Sequence, residues 1–302
     1  MALFVATLAT VIVSGLFWQQ FVAVRTIENQ QLIAQSRVLM AGALDWARAM
    51  LREDAMRSSH DGLDDFWAKG LAETRLDQLG ESSVLAAQAS IAGSIEDAQS
   101  RLNLRNLVGN SGEIVEAELG SLKRLCELLD VPPASAELIA LRMQAAFAPA
   151  AAGDGAEGPV VRPLPPIHGH DIVAIPGIDA TAGERLSRYL VVLDRNKTAL
   201  NVNTATAEVI AAHQNVSLAR ARALVAQRER LSYFNDIADF RKYLGDTGDS
   251  GSGDAGLSTS TSYFFVRGQI RLSRADIRME ALVRRSAQAG GGPAETLWQR
   301  EL

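Results

Sequence analysis

From Met1 to Val24 the chain carries no ionisable side chain, and the first is Arg25. About 20 apolar residues in a helix span the hydrocarbon core of a bilayer. This run therefore reads as a membrane segment at the extreme N-terminus, with everything else on one side of it. No Lys or Arg precedes it and no small-residue cleavage site follows, so it lacks the features of a secretory signal peptide. Helical character continues past it. From Arg25 to about Asp54 there is no Pro, and Ile33, Met40, Leu44, Ala47 and Leu51 recur at helical spacing. A single helix of about 50 residues would be roughly 75 Å long, half in lipid and half against a soluble domain. The alternative is an ordinary anchor followed by a separate helix.

The remaining residues suffice for two modest domains. A formal net charge of −5 argues against nucleic acid or an anionic membrane surface as the main partner. The single cysteine, Cys126, rules out an intramolecular disulfide and any multi-cysteine metal site. Its leucine neighbours place it on a buried helix face.

Residues 58–82 are mixed and polar, with Trp67 as a packing residue. Ser90–Asp97 reads as a strand with Ile91 and Ile95 on one face, and 101–107 also alternates. The character changes from about Val108. Amphipathic helices are expected over Glu113–Leu129 and Ser135–Phe147, separated by Pro132-Pro133. An Ala/Gly/Pro-rich loop covers 148–166, and helical patterns return up to Leu244. Residues 245–262 are Gly, Ser, Thr and Asp, a connecting segment. Alternation resumes over 263–272 and 277–284 with a turn at 273–276, and 295–302 is a candidate last strand.

Strands thus flank an all-helical block. The expected organisation is 1–24 as the membrane half of the first helix, 25–107 and 259–302 as two parts of one α+β domain, and 108–258 as an inserted helical domain. Edge strands with unpaired backbone are unfavourable alone, so the flanking strands should pair.

Two segments in the block look like helix-hairpin-helix (SAM-like) units. One is Ile172–Asp179 with a helix from Ala182 to about Leu193. The other is Leu200–Ile210, with Asn203 or Thr204 as N-cap, followed by a helix over 217–228. DNA-binding members of that class offer a Gly-rich hairpin to phosphate. Here Asp179 follows Ile-Pro-Gly-Ile, and the second unit has His213-Gln214-Asn215-Val216 in that place. Residues 107–258 hold 14 Lys and Arg against 19 Asp and Glu. DNA affinity rests on basic residues releasing counterions, so these units read as a scaffold for protein contact and no nucleic acid is expected. His168 and His170 supply only a partial metal-ligand set. No hydrolase, zinc-protease or phosphate-loop motif occurs, so no enzymatic activity is expected. Asp246, Asp249 and Asp254 could collect calcium on a loop, but their spacing fits no EF-hand.

Several elements in order resemble the protein K family of the general secretion pathway, the large minor pseudopilins of type II secretion systems. They are Met1-Ala2-Leu3 opening a long helix, Arg101-Leu102-Asn103-Leu104-Arg105-Asn106-Leu107, Leu200-Asn201-Val202-Asn203-Thr204-Ala205 and Ser262-Tyr263-Phe264-Phe265-Val266-Arg267. The resemblance covers nearly the whole chain. It implies a pilin-like fold, with the long helix packed on an antiparallel sheet and a large helical insertion. It implies a mature form with Met1 as the processed N-terminus, since the family's leader is absent. It implies an inner-membrane anchor with the globular part in the periplasm. Partners would be minor pseudopilins I, J and H, and secreted exoproteins. Most pilin-like subunits carry Glu at position five. Val5 cannot pair with the N-terminal amine of a subunit above, which implies a place at the tip of the filament. Val5, Ile33, Met40, Leu44 and Leu51 are the expected helix-packing residues. Many members have an acidic calcium-binding stretch after the second helix of the insertion. Only Asp154 and Glu157 remain here, which puts calcium binding in doubt. A second reading, a membrane-anchored DNA receptor of the competence type, also joins an anchor to helix-hairpin-helix units. The flanking strands and the acidic insertion speak against it.

Overall fold

A computed structural model of the chain describes residues 1–80, 86–147, 162–245, 256–286 and 292–302. The first element, α1, runs unbroken over Ala2–Arg57, roughly 84 Å at 1.5 Å per residue. The uncharged run and the amphipathic stretch are therefore one helix. It contains no proline, and neither Gly15 nor Gly42 is approached by other parts of the chain. It stops where Ser58 turns extended.

Next come β1 (Leu71–Arg75), β2 (Ala89–Asp97) and β3 (Leu102–Asn103). The helical block comprises α2 (Glu116–Leu128), α3 (Ala134–Phe147), α4 (Ala180–Ser187), β4 (Leu190–Val191), β5 (Leu200–Asn201), α5 (Ala207–Gln214), α6 (Leu218–Leu231) and α7 (Ile237–Leu244). β6 (Leu257–Ser258), β7 (Tyr263–Leu272), β8 (Ala275–Arg285) and β9 (Ala294–Glu301) follow. Five strands form one antiparallel sheet in the order β1-β2-β7-β8-β9. The helical block thus leaves the sheet after β2 and returns to it at β7, the neighbouring strand.

Alternation of side chains along the strands divides the sheet between two partners. Phe264, Val266, Ala281 and Val283 face α1, which buries Met40, Leu44, Ala47 and Leu51 against them. Tyr263, Phe265 and Leu282 face the other way and meet Val191 and Leu193 of the helical block. Gly93 and Gly268 lie opposite each other across β2 and β7. A Cβ on Gly268 would come within 2.9 Å of the Met40 sulfur, so the missing side chain lets α1 sit close to the sheet. The helical block has its own core, with Leu122, Leu125, Cys126, Ile139, Ile210 and Phe240 all buried. Two short parallel pairings, β3 with β4 and β5 with β6, fasten it back to the segments on either side.

Several local expectations are corrected. The polar stretch 58–82 contains β1, paired to β2 through a bulge. Alternation over 101–107 gives only the two-residue β3; Leu104–Leu107 is a 3-10 turn, because Asn103 caps it by accepting from the Arg105 N–H. The helix expected up to Leu193 ends at Ser187, and Leu190 and Val191 pair with Leu102 and Asn103 instead. The N-cap of α5 is Thr206, not Asn203 or Thr204, whose side chains are engaged elsewhere. The β7–β8 turn is tighter than expected, with β8 starting at Ala275. Within the expected linker 245–262, Leu257 and Ser258 form a strand and Thr261 is buried.

Candidate functional site

The chain offers no catalytic constellation among the described residues; its candidate functional parts are α1 and the joint that holds the sheet and the helical block to it. The first half of α1 is bare. Phe4, Val5, Ile12, Phe17, Trp18 and Phe21 are all exposed, and no charged group interrupts them. This is a helix long and apolar enough to cross a membrane once. Met1 and Val5, in the first turn of α1, are both exposed, and the Val5 N–H donates to the Met1 carbonyl. Ile33 is also exposed, at 39 %, one turn before the buried stripe begins at Ser36, whereas Met40, Leu44 and Leu51 are in the core. Exposed apolar residues continue past the uncharged run at Val38 and Trp46 on α1, with Phe66 also exposed.

Glu28 and Asn29 of α1 are gripped by Arg274 from the β7–β8 turn, at 3.0 and 2.5 Å. Arg37 holds Glu301 of β9 through both carboxylate oxygens. These exposed contacts orient the sheet along the helix; individually such pairs add little stability.

The end of α1 meets a buried polar joint. Arg285, at the close of β8, donates to Asp54 at 2.9 Å, to both Asp61 oxygens at 2.7 Å, and to the carbonyls of Leu51 and Thr261. Burial, and after it repulsion from Asp61 and Asp65, pushes the Asp54 carboxyl up to about 6. Next to it lies Asp97, the last residue of β2. Its carboxylate accepts from Gln99 N–H, the Asn201 amide and the Thr204 hydroxyl. Complete burial outweighs these donors and holds Asp97 at about 6. Asn201 donates to the Asp61 carbonyl as well. Asn203 clasps Phe234 by both its backbone groups and also reaches the Thr259 carbonyl. Arg228 caps the Val202 and Ala205 carbonyls from α6. Asn103 does similar work, donating to the Arg195 carbonyl and accepting from Leu193 N–H. The asparagines of the two motifs singled out in the sequence are therefore fasteners. Each satisfies backbone groups that irregular buried chain would leave unpaired.

Asp54, Asp61 and Asp65 are the acidic side chains grouped closely enough, among the described residues, to suggest a cation site. They do not fit one, because the Arg285 guanidinium already bridges Asp54 and Asp61. Asp154, Glu157, Asp246, Asp249 and Asp254 lie outside the described residues. His168 and His170 do not converge: His168 approaches Asp171 and His170 approaches Glu184. Cys126 is fully buried, and burial pushes its thiol up to about 11, which leaves it unreactive.

The sequence reading missed Arg285, Asp61, Asp97 and Arg228. A signal existed for two of them. Asp97 and Arg285 each end an apolar alternation with a charge on the register that should be buried.

Comparison with known proteins shows what this architecture is similar to. A family model described as type II secretion system protein K matches residues 200–260, the stretch from the Asn201–Asn203 fastener to the edge of β7. Type II secretion system protein K of Pseudomonas aeruginosa is 25 % identical over 287 residues, covering 89 % of this chain and 82 % of that one. The crystal structure of the GspK-GspI-GspJ complex from the enterotoxigenic Escherichia coli type 2 secretion system contains a similar fold. That chain matches with a TM-score of 0.70 and 22 % identity, over 91 % of this chain and 98 % of its own. The family model and the chain-long relative both name protein K, the solved complex shares the fold, and the resemblance of this chain to type II secretion protein K, a minor pseudopilin of protein transport, is borne out.

Proposed function

We propose that the chain is anchored by α1 in the inner membrane with its globular part in the periplasm. There it assembles with minor pseudopilins I and J at the tip of a short filament, above pseudopilin H, to support export of folded proteins. One observation carries the reading: the fold matches, over nearly its whole length, a chain crystallised together with two such partners. The bare first half of α1 supports it, since an uncharged helix surface needs lipid or other helices around it. The segments 172–193 and 200–228 act in this reading as helix-hairpin-helix scaffolding for protein contact, within an inserted domain bounded near 108 and 258. The chain would act by assembly and catalyse nothing.

The test is co-expression of the full chain with pseudopilins I and J of the same organism, followed by detergent extraction and native mass spectrometry. One copy of each in a stable complex is expected. A chain that co-purifies with neither overturns the proposal. Val5 gives a second test. In the membrane a carboxylate is costly unless neutralised, so Val5→Glu should impair secretion more than Val5→Leu; equal secretion would remove the argument for the tip.

A further inference from the structure

Between α1 and the sheet, beside the 3-10 turn Phe66–Lys69, lies a pocket of about 110 Å³. Met40 and Met50 of α1, Met279 of β8 and the rings of Trp46, Phe66 and Trp67 line it. The sheet cannot fill it. A Cβ on Gly93 would meet the Arg267 carbonyl oxygen at 3.0 Å, and one on Gly268 would meet the Met40 sulfur at 2.9 Å. Between its two methionines α1 adds only the methyls of Ala43 and Ala47 and the side chain of Leu44. Protein interiors leave few voids larger than a water molecule. An engineered apolar cavity of about 150 Å³ stays dry and binds benzene. An apolar pocket of comparable size, walled by adaptable methionines, is suited to an apolar guest.

Two charged residues, Lys69 and Arg267, contribute to the wall, and among the described residues no Asp or Glu does. Arg267 is engaged elsewhere. Like Phe265, it faces the helical block, where Glu96 and Glu280 hold its guanidinium at 2.5 and 2.9 Å. Lys69 is different. It is exposed, and its ammonium makes no ion pair or hydrogen bond among the described residues. An exposed lysine on an apolar wall lays its methylene stem along that wall and keeps its ammonium in water. The mouth is open to solvent, with Trp46 and Phe66 at 52 % and 71 % exposure. It therefore carries one unpaired positive charge above an apolar floor.

We propose that this pocket binds a small organic acid, its apolar tail among the methionines and its carboxylate at the mouth beside Lys69. The volume sets the tail. Six carbons of benzene occupy about 150 Å³, so about four to five carbons match this pocket. The acid comes from solution and not from the bilayer, because Met40 stands roughly 24 Å of helix beyond Val24. A headgroup layer of about 5–8 Å does not reach that far. The apolar side chain of a docked protein would fill the same space without needing the charge, and the experiment separates the two.

The experiment is a carbon-13 NMR titration of the full chain, labelled at its methionine methyl groups and held in phosphatidylcholine nanodiscs. Each signal is assigned by its loss in the matching Met→Leu variant. Met40, Met50 and Met279 report on the pocket. Met143, buried in the helical block, and Met56, exposed near the end of α1, are the controls. Sodium pentanoate is the probe and pentanamide its neutral counterpart, at ionic strength matched with sodium chloride. Expected is a saturable shift of the three pocket methyls with a Kd at or below about 10 mM. Propionate should bind about tenfold more weakly, since each buried methylene contributes about fourfold. Pentanamide should bind about threefold more weakly, as for loss of an exposed ion pair. Lys69→Gln should bring pentanoate and pentanamide to the same Kd, and Lys69→Arg should keep them apart. No saturable shift of the pocket methyls overturns the proposal, as do shifts of equal size at Met56 and Met143. Equal binding of pentanoate and pentanamide to the unaltered chain also overturns it, and assigns the pocket to an uncharged occupant such as a docked side chain. So does a preference for pentanoate that survives Lys69→Gln.

Discussion

Asp97 and Asn201 stand 104 positions apart in the chain and meet in its interior, the Asn201 amide donating to the Asp97 carboxylate at 2.8 Å. The whole helical block up to β5 lies between them in sequence. The same amide reaches the Asp61 carbonyl at 3.1 Å, and its oxygen accepts from the Asn203 N–H. Asn201 therefore touches the end of the sheet, the loop after α1 and the helical block at once.

Replacing it with alanine leaves three buried groups short of a partner. Each stranded group costs about 1–3 kcal/mol, offset in part by relaxation, so Asn201→Ala should lose about 2–3 kcal/mol. Thermal unfolding of the full chain in mild detergent, followed by circular dichroism, measures this. A midpoint unchanged from the unaltered chain would show that the contact is dispensable.

Arg285 should matter more. Removing one partner of a buried ion pair leaves an uncompensated charge, typically at a cost of about 3–5 kcal/mol. Arg285→Met strands both Asp54 and Asp61. Adding Asp54→Asn and Asp61→Asn to that variant should restore part of the loss. A triple variant no more stable than Arg285→Met alone would mean the arginine acts by packing on Phe264, over which it lies at 4.8 Å.

The pH dependence has two opposing parts. Asp97 and Asp54 are both raised to about 6 from 3.8 by burial. Their contribution to stability is complete below pH 3.8 and is lost as pH rises through 6. His213 is lowered from 6.5 to about 4 by burial and then by Arg124. Its contribution is complete above pH 6.5 and is lost as pH falls toward 4. Between pH 7 and 5 the unaltered chain should show a shallow profile. Asp97→Asn should lose ground relative to it as pH falls through that window, and His213→Gln should gain ground. Melting midpoints at half-unit pH steps decide this; parallel curves for all three would contradict it.

Two glycines should respond in opposite directions. Gly42 lies in α1 with open space around its Cβ position, so Gly42→Ala should stabilise by about 0.5–1 kcal/mol through helix propensity. Gly169→Ala would drive a methyl into the Leu190 backbone and should cost about 1–3 kcal/mol. Chemical denaturation of both variants compares them directly.

The parts of this fold that follow a strict period were legible in the sequence. Met40, Leu44, Ala47 and Leu51 announce a helix face, and the alternation of Tyr263 to Leu272 announces a two-sided strand. In each case one residue's environment repeats down the element. The polar joint follows no period. Asp61, Asp97, Asn201 and Arg285 come from four separate places, and what makes each tolerable in the interior is the presence of the others. β1 was hidden for a related reason: it is a bulged, half-exposed edge strand whose burial does not alternate. The motif asparagines 103, 201 and 203 were visible as a pattern, but their work is to satisfy distant backbone, which no local spacing encodes.

Arg274 takes hold of α1 at Glu28, only four residues beyond Val24. At 1.5 Å per residue that is roughly 6 Å of helix. The helix passes from its bare half into the core of the head without a proline, a kink or a linker. The head therefore has no stalk and no swivel. Any tilt, rotation or axial shift imposed on the bare end of α1 is carried along one continuous helix to the sheet, as the motion of a key's shaft appears at its bit.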